Sequence, residues 1–335
     1  TKDTGYIKLS NFTTGAGREV EKALTKLKEE GAKKIVFDLR GNPGGLLSES
    51  VNVSNVFVPK GSEIVSTKGK VKDWNKVYRA PHSPVDTEIP LAVLTSGRSA
   101  SAAEIVSGVV QDYDRGILGG EKTFGKGLVQ ATRPLTNNSQ LKVTTAKYYT
   151  PSGRCIQAID YSHRGEDGSV GRVPDSLRTA FLTKSGRVVY DGGGVNPDVQ
   201  AKAERLAPIT VSLFTKNLIF DYATKYFYEH AEAPEAKSFE ISETEYEDFL
   251  TWLSDKDYDY VTEVEQTIDD LTEIAKDEKY YQDIKEQITS LRKQVQHNKV
   301  QDLQKFKAEI KEALEEEIAA RYHLSEGNTE ASFDD

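Results

Sequence analysis

The segment "KKIVFDLRGNPGG", residues 33–45, constrains the fold more than any other stretch of this chain. Ile35, Val36 and Phe37 are consecutive and apolar. A strand built on them hides both faces, the habit of central strands in parallel sheets. The residues before it complete a unit. "TGYIKLS", 4–10, alternates as a strand does. Residues 17–30 set Val20, Ala23, Leu24 and Leu27 at helical spacing, and Gly31 stops the helix. Strand, helix and strand in that order predict a parallel crossover. "GNPGG" then falls just past a buried strand, where open α/β sheets place their sites.

The pattern continues downstream. Leu46 to Val56 reads as a helix and "PLAVLTS", 90–96, as another buried strand. Residues 101–113 carry Ile105, Val109 and Tyr113 beside Val106 and Val110, which predicts a helix packed on one face. "GILGG" and "GLVQATRPL" read as short strands. "LKVTTAKYYT", 141–150, pairs with the second of these across "TNNSQ", and "TAFLTKSGRVVYDGG", 179–193, reads as another hairpin. Near Leu206 the character changes. Residues 209–231 are helical and aromatic, Ser242 with Glu245 fits a capping box, and 263–324 is rich in Glu, Lys, Gln and Leu. Leu303, Phe306, Ile310, Leu314 and Ile318 keep one seam. The expected organisation is an α/β core over 1–204 with a hairpin insertion at about 159–190, an α-helical domain over 205–325, and a disordered tail at 326–335.

Composition excludes several functions. A net charge of −9 disfavours nucleic acid and anionic membrane surfaces as partners. None of the five histidines lies three to five residues from another, so no metal site is expected. Cys155 is the single cysteine, which rules out an intramolecular disulfide. The chain opens at Thr1, inside what reads as a strand, and shows no secretory signal; it reads as a segment of a longer protein.

"GEKTFGKG", 120–127, has the glycine and lysine spacing of a phosphate-binding loop. Gly127 stands where that loop needs Ser or Thr for Mg²⁺, and a strand-like segment follows where a helix is needed. A nucleotide is therefore a poor expectation. On its own the loop is a surface turn with a solvated Lys126. "SGRSASAAEIV", 96–106, changes that reading. It puts Ser101 at a strand-to-helix turn among small residues, where a carbonyl can approach its Oγ. The Ala102 amide and the positive helix end can hold an oxyanion. The plainer reading of Ser101 is a helix cap.

A nucleophilic serine needs a base. With no histidine suitably placed, Lys126 is the candidate. A free lysine has a pKa near ~10.4, so a base role demands burial that disfavours the ammonium. Phe124 and Leu128 offer apolar surroundings, and the neutral amide of Gln130 can orient the amine.

"DLRGNPGG", "SGRSASAAEIVSG" and "GEKTFGKGLVQ", followed by "TTAKYYTPSGR" and "GGGVNPDV", together resemble the carboxy-terminal processing peptidases, or tail-specific proteases. The resemblance covers about residues 4–200. It implies a crotonase/Clp-protease-like fold and a serine endopeptidase with a Ser–Lys dyad and no cofactor. It assigns Ser101 as nucleophile, Lys126 as general base, Gln130 as its helper, and the Gly45 and Ala102 amides as oxyanion donors. Ser99 is the competing nucleophile. Protein or peptide substrates are implied, cut near their C-termini, with an extended substrate strand pairing to a sheet edge. The helical domain is the surface for a homo-oligomer if one forms. The resemblance places such a protein in the bacterial periplasm or cell envelope, made as a precursor with a signal peptide. Its members usually carry a PDZ domain before the strand that opens this chain. The alternative on the same fold is a non-catalytic binding or scaffold protein.

Overall fold

A computed structural model describes residues 3–165, 167–202, 205–230 and 239–331. In chain order the first unit (Thr1–Ala203) contains β1 (Thr4–Lys8), α1 (Ala16–Glu29), β2 (Lys34–Asp38), α2 (Leu47–Phe57), β3 (Glu63–Lys68), β4 (Lys76–Arg79), β5 (Leu91–Thr95) and α3 (Ala102–Asp112). There follow β6 (Ile117–Gly120), β7 (Leu128–Pro134), β8 (Gln140–Tyr149), β9 (Ile159–Arg164), β10 (Val170–Arg172), β11 (Ala180–Leu182), β12 (Val188–Tyr190) and β13 (Val199–Gln200). The second unit (Glu204–Asp335) contains α4 (Pro208–Thr215), α5 (Leu218–Glu229), α6 (Glu243–Leu253), α7 (Glu263–Asp277), α8 (Tyr281–Lys305) and α9 (Lys307–Ala331).

The first unit is built as a parallel crossover should be. β1 and β2 pair in parallel, with Ile7 opposite Phe37. The sheet continues β1-β2-β5-β6-β13, every pair parallel. α1 buries Val20 and Leu24 and turns its charged residues outward. It ends at Gly31, whose φ of +97° is the left-handed geometry of a helix stop. Phe37, Val93, Ile105, Val109 and Leu118 are fully buried between sheet and helices.

A second sheet, β4-β3-β8-β7, is antiparallel. β3 reaches only Lys147–Tyr149 of β8, so the outer halves of β7 and β8 form a two-stranded ribbon. The insertion consists of two hairpins, β9–β10 and β11–β12. The α/β core and helical C-terminal domain expected from sequence are therefore the architecture found.

α3 differs from its expectation. Its periodicity predicts one packed face, yet every residue of the helix is buried. Glu104, Ser107, Gln111 and Asp112 form the polar side, and segments after β6, after β8 and before β13 supply hydrogen-bond partners to Glu104, Gln111 and Asp112.

The second unit has its own core, around Ile209, Tyr222, Tyr246, Phe249, Ile310 and Leu314. Asn217, at φ +58°, breaks the helical stretch 209–231 into α4 and α5. The Ser242–Glu245 capping box is present at the start of α6. Of the tail expected to be disordered, 326–331 continues α9, and 332–335 lies outside the described residues. No described helix is long and apolar enough to cross a membrane.

Candidate active site

Three loops meet at the start of α3. β5 ends at Thr95, and the turn 96–100 delivers the chain to Ser101. Ser101 has φ +56° and ψ −112°, a conformation that L-residues avoid. Such strain costs about 1–3 kcal/mol and persists only where the surroundings enforce it. Its hydroxyl is nearly buried, and the group within hydrogen-bond distance is the Tyr148 phenol, 3.2 Å away. Burial pushes the Tyr148 pKa up, so the phenol stays neutral.

Ser99 is fully buried, and both roles of its hydroxyl are taken. It donates to the Leu39 carbonyl at 2.7 Å and accepts from the Ser96 amide at 2.9 Å. That geometry ties the loop after β5 to the end of β2.

The glycine turn after β2 is organised by buried Asn42. Its Nδ2 donates to the Leu9 carbonyl at 2.6 Å, and its Oδ1 accepts from the Gly44 amide at 2.8 Å. Its own carbonyl accepts from the Ala100 amide, which joins the turn to the Ser101 loop. A side-chain carbon at Gly44 would fall 2.7 Å from Ser101 Cβ and 3.0 Å from the Ala102 nitrogen. Only glycine allows that approach. Among the described residues, the Gly45 and Ala102 amides donate no hydrogen bond.

The third loop runs through Lys126, and buried Glu104 holds it to the other two. Glu104 Oε2 accepts from the amides of Ser101 and Lys126, each at 2.8 Å. Its Oε1 accepts from the Gly125 amide at 2.7 Å and the Thr123 hydroxyl at 2.6 Å. Burial raises the Glu104 pKa above the usual carboxylate range, and these donors oppose the rise. The glycines flanking Lys126 are packing positions. A side-chain carbon at Gly125 would meet Ala158 Cβ at 2.3 Å, and one at Gly127 would meet the Gln157 nitrogen at 2.7 Å.

Lys126 itself departs from expectation. Its side chain is exposed rather than enclosed, and so is that of Phe124. Among the described residues the Lys126 ammonium makes no hydrogen bond or ion pair. Glu104 fixes the Lys126 backbone, while the exposed stem has no partner to hold it among the described residues. Gln130 is also exposed and lines a cavity of about 520 Å³ with Leu128, Gln157 and Tyr161. The structure thus brings together Ser101, the glycine turn, Ala102 and the backbone of Lys126. It places no hydrogen bond between Ser101 Oγ and the Lys126 amine.

Sequence reasoning passed over Glu104, Thr123, Tyr148 and Asn42. Ser101 and Glu104 have the S-x-x-E spacing that could have flagged Glu104. For Tyr148 no local signal exists.

Comparison with known proteins then supplies a family match. Residues 3–163 match the model of "Peptidase family S41". Residues 3–163 are thus a peptidase family S41 segment of this chain. The S41 segment contains every residue of the candidate site. Residues 209–335 match "Probable PDZ-protease, C-terminal helical domain".

The chain is 43% identical over 161 residues to a carboxy-terminal-processing protease of Bartonella bacilliformis, covering 47% of this chain and 37% of that one. A probable CtpA-like serine protease of Staphylococcus aureus is 39% identical over 153 residues, covering 45% and 31%. A chloroplastic C-terminal processing peptidase of Tetradesmus obliquus is 36% identical over 159 residues, covering 47% and 34%. The matched region thus spans about a third of these relatives' length. A solved photosystem II D1 C-terminal processing protease aligns over 61% of this chain and 44% of its own, at 31% identity and a TM-score of 0.46.

Proposed function

We propose that this chain belongs to a serine endopeptidase that cuts protein substrates near their C-termini. Ser101 Oγ attacks the scissile carbonyl carbon. The neutral Lys126 amine takes the hydroxyl proton, with Gln130 orienting it. The amides of Gly45 and Ala102 hold the oxyanion of the tetrahedral intermediate. Its collapse breaks the C–N bond, returns the proton from Lys126 to the leaving amine, and leaves an ester on Ser101. Water, deprotonated by the same lysine, then releases the new carboxylate.

The observation that carries this reading is the shared carboxylate. Glu104 binds the amides of Ser101 and Lys126 on one oxygen, so the two reactive residues have fixed backbones on either side of it. The strained Ser101 backbone and the two amides without acceptors support it further. β7, the edge strand that follows Lys126, offers a pairing surface for an extended substrate. In the resting arrangement Tyr148 holds Ser101 Oγ and Lys126 is turned to solvent. Catalysis therefore requires the lysine stem to swing inward and the phenol to yield.

The test is cleavage of an unfolded protein by the full-length enzyme, wild type against Ser101→Ala and Lys126→Ala. Each variant should lose at least about a thousandfold in kcat. Undiminished cleavage by either removes that residue from its role, and absence of cleavage by the wild type favours a non-catalytic binding protein.

A further inference from the structure

Lys122 and Arg178 are far apart in sequence, yet both converge on Gly193. A side-chain carbon built on Gly193 would lie 2.8 Å from Lys122 Nζ, 2.8 Å from Arg178 Cζ and 2.9 Å from Arg178 Nη2. The two cations are therefore close neighbours over a run of glycines, Gly192 to Gly194. Like charges at this range repel, and a fold keeps them together only with a counter-charge.

Little of that counter-charge is present. Arg178 Nη2 pairs with Asp175 at 2.5 Å, but the Asp175 side chain is 85% exposed. Among the described residues Lys122 Nζ makes no hydrogen bond or ion pair, and Arg178 Nε is buried without an acceptor. The Gly193 amide also donates to none of them. Burial, then Arg178, holds the Lys122 pKa below the usual lysine range, and Arg172 adds to this against an opposing Asp175. Two converging cations and a glycine backbone suit a planar anion, and the guanidinium edge suits a carboxylate. Asp175 already demonstrates that match from an exposed position from which it can be displaced.

The surroundings point to a peptide. The 520 Å³ cavity has Leu177 and Gly192, the chain neighbours of Arg178 and Gly193, in its wall, and Gln130 in the same lining. Thr123, next to Lys122, donates to the carboxylate that holds the Ser101 amide. A chain lying in the cavity beside Gln130 can carry a terminal group to the cations.

We propose that Lys122 and Arg178, converging on Gly193, form a subsite for a peptide carboxylate, the α-carboxylate of a substrate's C-terminal segment. The identity of the ligand as a peptide rests on the peptidase reading; the cation cluster does not.

Equilibrium binding tests it in the Ser101→Ala background, where cleavage does not consume the probe. The probes are fluorescent hexa-alanine with a free C-terminus, its C-terminal amide, and an amide with one internal glutamate. The free acid should bind about tenfold more tightly than the plain amide, less so at high salt. Lys122→Gln and Arg178→Gln should each reduce that ratio to about twofold or less while the melting temperature holds. Asp175→Asn, which removes the internal competitor, should tighten binding of the free acid. If the glutamate peptide alone gains affinity, and loses it in both variants, the carboxylate subsite stands and the α-carboxylate is overturned as its source. Equal affinity for all three probes, or a free-acid preference that survives both substitutions, overturns the subsite. Absence of cleavage by the wild-type full-length enzyme would overturn the peptidase reading without touching the carboxylate preference measured here.

Discussion

A carboxylate that accepts two donors on each oxygen leaves no place for an amide. Glu104 is in that state, with the Ser101 and Lys126 amides on Oε2 and Gly125 and Thr123 on Oε1. In Glu104→Gln one oxygen becomes an NH₂ group facing two donors. Only the Thr123 hydroxyl can turn round to accept, so at least one buried amide loses its partner. The expected cost is about 1–3 kcal/mol in stability. kcat should fall more than KM rises if Ser101 and Lys126 act as proposed, because their backbones lose register. Chemical unfolding and cleavage kinetics check both, and a variant with unchanged stability and kcat would show that Glu104 fixes nothing. Tyr148→Phe tests the resting contact on the other side of Ser101. Phe keeps the buried ring and deletes one hydrogen bond, a change of about 0.5–1.5 kcal/mol. Ser101 labelling by a fluorophosphonate should therefore speed up by about two- to tenfold; a slower reaction would mean that the phenol assists. Ser101 and Lys126 stand out in the sequence as candidates because their neighbours are small or glycine and their order is specific. Tyr148 does not. It lies just past the β7–β8 register, where β8 pairs with β3 through Thr67, a long-range placement that no local pattern encodes.

α3 shows how an element can be read correctly and its environment missed. Ile105, Val109 and Tyr113 announced the helix, but the same spacing said nothing about what covers the opposite side. There Asp112 and Arg154 form an ion pair at 2.8 Å with both side chains only 1% exposed. Arg154 also reaches Gln111, while the Lys184 amide bonds the Asp112 carbonyl. The "TPSGR" segment and the β11–β12 hairpin are thus fastened to the helix that begins at Ser101. These partners come from 40 or more residues away, beyond the reach of periodicity. Removing one member of a buried pair leaves the other uncompensated, at about 3–5 kcal/mol. Asp112→Ala should lower stability by about that much. Asp112→Ala combined with Arg154→Met should recover part of it. Thermal or urea unfolding of the three proteins decides the point, and a double variant no better than the single would locate the loss elsewhere.

At the scale of the whole molecule, carboxylates of the first unit set its response to acid. Asp38 is fully buried; burial alone would raise its pKa, but hydrogen bonds from Arg40 and Tyr6 win and hold it below the usual range. Asp86, beside Lys28 and accepting from the Glu88 and Ile89 amides, is held down to about 2 against its own burial. Asp114 is lowered likewise by the Ser185 amide and Arg187. A depressed carboxylate contributes stability that is present above its unfolded pKa, near ~3.9, and is lost as pH falls through the folded value. Glu104 has the opposite sign. Its raised pKa gives a contribution present below its unfolded value and lost as pH rises, which partly offsets the others at low pH. Asp167 is lowered too, so four depressed groups against one raised group predict a net loss of this unit's stability on acidification. The melting temperature should fall most steeply between about pH 4 and 2, the window set by Asp86. Asp86→Asn keeps an acceptor for the two amides but cannot titrate. It should melt lower than wild type at pH 6 and lose less between pH 4 and 2, so that the two curves converge. Curves of melting temperature against pH that run parallel through that interval would place the acid sensitivity in other groups.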